Sequence, residues 1–126
     1  MPKTVPATPS APNAMGPYSI ATEAGGLVFL SGQVALDPAS GERRPDDIEI
    51  QARQVMDNVG SILGDLGLSY GDIVKTTIFL ADMGDYPKVN GVYASYFGTE
   101  PPARSAIQAG ALPGGFLVEI EVVAAR

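Results

Sequence analysis

Proline or glycine interrupts this chain every few residues over most of its length, with fifteen glycines and eleven prolines among 126 residues. Proline removes a backbone donor and glycine weakens any helix or strand interior, so the elements between them must be short. A bundle of long helices is excluded, and a mixed α+β domain is expected. Hydrophobic residues make up 45% and charged residues 17%, with a mean hydropathy of +0.12. That composition belongs to a chain that buries a core.

Only one segment carries a sustained helical period. Ala52, Val55, Met56, Val59, Ile62, Leu63 and Leu66 recur at helical steps, after Asp46 as N-cap with Glu49 at capping-box distance, and Gly67 stops the run. Leu27–Gln33 is an apolar run with the composition of a strand buried on both faces, and Asp37–Gly41 is a turn. Ile73–Leu80 is β-branched and apolar. A second helix follows, with Tyr86, Val89, Tyr93, Tyr96 and Phe97 on its apolar stripe and Pro87 in its first turn. Ala103–Ala109 and Phe116–Ala124 read as an antiparallel hairpin across Leu112–Gly115. The expected order is strand, strand, helix, strand, helix, strand, strand, with both helices on one face of a single mixed sheet. Residues 1–16 lack periodicity and read as an extended arm, so residues 1–126 form one domain that begins in earnest near Tyr18.

The chain has no cysteine and no histidine. Thiol nucleophiles, imidazole bases, Ser-His-Asp triads and thiolate or imidazole metal sites are therefore excluded, leaving carboxylates, Arg, Lys, Tyr, hydroxyls and backbone groups. Neither a metal nor a cofactor is expected. Eight Lys and Arg against 14 Asp and Glu give a net charge of −6, which argues against nucleic acid as a partner. The strongest positive cluster, Arg43-Arg44, runs directly into Pro45-Asp46-Asp47. No apolar stretch is long enough to cross a bilayer, and a cytoplasmic location is expected.

Chemistry is best sought on the last strand. With Phe116, Val118, Ile120 and Val122 on one face, Leu117, Glu119, Glu121 and Val123 take the other. Carboxylates in an apolar row are either solvated or, against another subunit, in need of a partner. Arg104, just past Pro101-Pro102, is the candidate cation, and its alternative is an internal ion pair with Glu119 or Glu121. Tyr18 either lends a phenol to a pocket or packs at a sheet edge, and Ser31-Gly32 either exposes donors or permits close packing. Asn90 reads as a hydrogen-bonding residue of the second helix, and Lys75 as an edge or snorkelling lysine before a Schiff-base one.

Gly16-Pro17-Tyr18-Ser19, Leu30-Ser31-Gly32-Gln33, Gln51-Ala52-Arg53-Gln54, Val74-Lys75-Thr76-Thr77, Val89–Tyr93, Pro102-Ala103-Arg104-Ser105 and Val118-Glu119-Ile120-Glu121 resemble the RidA/YjgF family of imine deaminases. The likeness runs in order from about residue 3 to the last residue. It implies a chorismate-mutase-like fold, a homotrimer with clefts between subunits, and cofactor-free hydrolysis of enamines and imines such as 2-aminoacrylate, 2-iminopropanoate and 2-iminobutanoate to 2-oxo acids. It further implies Arg104 as the clamp on the substrate carboxylate, Glu119 as the residue that positions water, and Tyr18, Ser31, Gly32 and Ala106 as pocket residues. Ala106 stands where some members carry cysteine, at a position that acts through its backbone, and Ile20 where glutamine is common. An arginine beside Glu119 would lower its pKa and keep it anionic. The competing readings are a non-catalytic module that binds small carboxylates and an endoribonuclease.

Overall fold

The computed structural model describes residues 2–126. Five strands form one mixed sheet: β1 (Ala21–Ala24), β2 (Leu27–Gln33), β3 (Ile73–Leu80), β4 (Ala103–Gln108) and β5 (Val118–Ala125), in the order β1-β2-β5-β3-β4. Two helices, α1 (Ile48–Asp65) and α2 (Tyr86–Ala94), cover one face. The α+β class, the single sheet and the helix placement are as expected, with elements alternating in the order read from the sequence.

The helix stripe is buried throughout, with Ala52, Val55, Met56, Val59, Ile62 and Leu63 all at 1% exposure or less. They pack on Val118, Ile120, Val122 and Ala124 of β5, each such aliphatic contributing about 1.5–3 kcal/mol. The cap lies one residue later than expected. The Asp47 side chain accepts from Ile50 N, while Asp46 instead accepts from Gln51 Nε2 and Arg43. Capping needs an extended residue whose carboxylate reaches back over the first turn, and Asp47 has that geometry.

The expected hairpin does not form. β4 pairs in parallel with β3, with Arg104 opposite Thr76, whereas β5 pairs antiparallel with both β3 and β2, so β3 lies between β4 and β5. Two consecutive left-handed glycines, Gly114 and Gly115, let the chain leave β4 and pass across β3 instead of folding straight back. β2 differs as well, being buried on one face only, with Leu27 and Phe29 about 40% exposed on the other.

The N-terminal arm is docked along its length. Thr4 bridges Glu23, and Ser10 donates from both its backbone N and its Oγ to the Asp65 carboxylate at 2.8 and 2.7 Å. These anchors deliver residues 12–18 to the C-terminal end of β2. No described helix is long and apolar enough to cross a membrane.

Candidate functional site

Arg104 lies on β4 in register with the buried Thr76, so its side chain leaves the sheet on the helix-covered face. There it meets α2. Its Nη2 donates to the Tyr86 hydroxyl at 2.8 Å, and its guanidinium carbon sits 5.4 Å from the Tyr86 ring centroid and 5.0 Å from that of Tyr93. Tyr93 is fixed in turn by a buried 2.7 Å hydrogen bond between its hydroxyl and Thr76 Oγ1. Burial pushes the Tyr93 phenol upward, opposed by that hydrogen bond and by the Arg104 charge, so the ring stays neutral.

Among the described residues no carboxylate pairs with Arg104. The ion pairs are Arg43–Asp46, Arg44–Asp37 and Arg126–Glu23, which removes the reading of Arg104 as the partner of Glu119 or Glu121. A half-buried guanidinium held against aromatic faces, with no carboxylate on it among the described residues, is chemically suited to an incoming anion. It opens onto a cavity of about 390 Å³ walled by Tyr93, Phe97, Pro101, Pro102 and Asn90. Asn90 does not make the expected hydrogen bond among the described residues, where its buried Oδ1 has no partner.

Glu119 stands on the opposite face. It pairs with Phe79 on β3 and alternates with the buried Val118 and Ile120, so it points away from the helices. With Glu121, Tyr18, Ser31, Gly32 and Pro113 it lines a second cavity of about 510 Å³, closed on one side by the arm residues 15–17. Gly32 is what makes room for the carboxylate. A Cβ at that position would fall 2.7 Å from Glu119 Cδ and 2.9 Å from its Cγ, so close packing, and not backbone freedom, requires glycine here. Ser31 Oγ is turned back to donate to Ser19 O at 2.7 Å, and the Tyr18 hydroxyl accepts from Met15 N at 3.2 Å, so both act first to fold the pocket wall.

Within one chain the Glu119 pKa shifts in the direction opposite to that expected. Burial is the larger cause and the neighbouring Glu121 carboxylate the second, and both raise its pKa above the ordinary glutamate value. Arg104 of the same chain does not oppose this rise, because two strand spacings, about 10 Å, and the thickness of the sheet separate the pair. A carboxylate with a raised pKa is a stronger base once ionised. Ala106 shares the Arg104 face of β4, and Lys75 lies half-buried on the Glu119 face opposite Val123.

A family model described as Endoribonuclease L-PSP matches residues 8–126. The chain belongs to that family. The mouse 2-iminobutanoate/2-iminopropanoate deaminase is 44% identical over 98% of this chain and 92% of its own length. A Rid protein family member from Yersinia pestis superimposes with a TM-score of 0.95 at 45% identity, covering 99% of this chain and 100% of that one. The TdcF structure from E. coli with bound serine matches at a TM-score of 0.90 and 40% identity over 98% of each chain. The family carries the Rid fold, and the expected resemblance is confirmed at that level.

Read as a member of this family, the chain has its sequence-marked residues gathered into two groups. Tyr18, Ser31, Gly32 and Glu119 form one and Arg104 with Ala106 the other, on opposite faces of one sheet. Sequence reasoning missed Tyr86 and Tyr93 as the bed of Arg104. Their only signal was membership of the α2 apolar stripe, which accounts for burial and not for a contact with β4. It also missed the polar side of α1. Gln51 Oε1 accepts from Leu117 N at 2.9 Å, and Asn58 Nδ2 donates to Leu36 O at 2.8 Å, bracing the start of β5 and the loop after β2.

Proposed function

We propose that this chain is a hydrolytic imine deaminase that converts small 2-imino acids to 2-oxo acids and ammonia, in sites formed between subunits of a homotrimer. One observation carries the reading: an unpaired guanidinium and a carboxylate of raised pKa, the two groups the reaction needs, occupy opposite faces of one sheet. A second copy brings the Glu119 face of one subunit to the Arg104 end of its neighbour. The exposed Leu27, Phe29 and Ile107 on the Glu119 face supply apolar area for such a contact. The deaminase named among the relatives and the serine held by TdcF support a small carboxylate ligand.

Arg104 would take the substrate carboxylate through two parallel N–H donors. The imine carbon becomes electrophilic when its nitrogen is protonated, and an anionic Glu119 favours that iminium. Glu119 then accepts a proton from water as its oxygen bonds to the imine carbon, giving a carbinolamine. Returning that proton to nitrogen makes it an ammonium leaving group, and as the C–N bond breaks and ammonia departs Glu119 takes up the proton of the carbinolamine hydroxyl, which becomes the carbonyl of the 2-oxo acid. No redox partner or metal enters the balance. An amino-acid oxidase generating 2-iminobutanoate beside a semicarbazide trap tests this reading, since the protein should suppress semicarbazone formation. Unchanged semicarbazone yield would overturn it.

The family description carries an endoribonuclease reading. A chain of charge −6 without histidine lacks both the phosphate grip and the usual base for RNA cleavage. RNA cleavage that survives Arg104→Ala in homogeneous protein would reinstate it.

A further inference from the structure

The guanidinium of Arg104 has two edges that each present a pair of parallel N–H groups, and Nη2 contributes one hydrogen to each edge. The Tyr86 hydroxyl, 2.8 Å away, accepts one of those two hydrogens. One complete edge is left for a carboxylate. Tyr86 stands at the start of α2, and the 3-10 turn Met83–Asp85 leads directly into it. Pro87 at the first helical positions sets the backbone there, so the phenol projects from a rigid point. Tyr86 does not line the Arg104 cavity, whose wall is formed by Tyr93 and Phe97. Its effect on a ligand must pass through Arg104.

From this geometry we infer that Tyr86 is a positioning residue for carboxylate recognition. Its hydroxyl sets the rotation of the Arg104 guanidinium and so determines which two-donor edge faces the ligand. The inference rests on Arg104 being the carboxylate clamp. Tyr93 fills a different role, since its hydroxyl is spent on Thr76 and only its ring touches the cation. Both rings thus flank the cation, and Tyr86 alone adds a directional hydrogen bond to it.

A single net hydrogen bond is worth about 1 kcal/mol, or about fivefold in an equilibrium constant. Tyr86→Phe keeps the ring and the packing and removes only the acceptor. The expected result is a KM for enzymatically generated 2-iminobutanoate, and a dissociation constant for 2-oxobutanoate, each raised about fivefold. kcat should stay within twofold, with thermal stability and assembly unchanged. Tyr86→Leu, which removes the stacking face too, should raise both constants further. In the NMR spectrum of ¹⁵N-labelled protein, the Arg104 Nε–H signal should broaden or exchange faster with water in Tyr86→Phe. KM and 2-oxobutanoate affinity within 1.5-fold of wild type in Tyr86→Phe would overturn the inference, as would a fall in kcat alone. Arg104→Ala is the control. If it leaves 2-oxobutanoate binding intact, the clamp reading itself fails, which is a different outcome from a silent Tyr86→Phe.

Discussion

The two halves of the candidate site are built by opposite means. Around Arg104 everything is regular structure: a strand residue, two tyrosines from one helix, and a threonine on the neighbouring strand that holds one of them. Around Glu119 the wall is an arm, a turn and a glycine, with Tyr18 and Ser31 hydrogen-bonded to nearby backbone. The cation is preorganised by packing, whereas the anion is placed by the absence of a side chain. In the proposed reaction, the charge that holds the ligand is seated rigidly, while the group assigned to exchange protons sits where burial and a second carboxylate tune it.

The sharpest way to break this contrast is to remove the rigid half. Arg104→Ala should cost about a hundred- to thousandfold in kcat/KM in the oxidase-coupled assay while the protein remains folded and assembled. Mixing that variant with Glu119→Gln and reassembling the subunits should recover about a quarter of wild-type activity, because one interface in four joins an intact arginine to an intact glutamate. A mixture with no recovery would place both groups in one subunit's site.

Next in size is Glu119→Gln, expected to lower kcat about a hundredfold with little change in KM, as befits a base and not a binding group. Gly32→Ala tests the other half of the comparison and should separate function from stability. The new methyl displaces only the flexible Glu119 side chain, so the melting temperature should barely move while kcat/KM falls about tenfold or more. A variant that unfolds, or one that works normally, would refute the role given to that glycine.

The smallest effect is on pH dependence. Since Glu121 helps to raise the Glu119 pKa, activity should be lost as pH falls through a value above the ordinary glutamate range. Glu121→Gln should move that acid limb to lower pH. A shift in the opposite direction, read from kcat/KM against pH, would mean Glu121 acts otherwise than by charge.

Individual elements were legible because their signals are local. The α1 stripe and the alternation along β5 are written in spacings of three or four and of two, and both appear as read. Pairing was not legible: a glycine-rich link between two strands reads as a hairpin whether it closes on itself or carries the chain past a third strand. The same error of scale hid the separation of Arg104 from Glu119. The hairpin reading put them on adjacent strands, and only the intervening β3 shows that they face different ways. Tyr86 escaped notice because its contact with Arg104 joins a helix start to an edge strand, a relation without any periodic trace.

In the proposed arrangement, a sheet that keeps its cation and its anion on opposite sides makes chemistry a matter of mass action. Diluted below the concentration at which protomers associate, each molecule would hold two incomplete hemisites, and turnover per milligram would drop. A cell could then silence such a protein by lowering its abundance, with no inhibitor and no covalent mark.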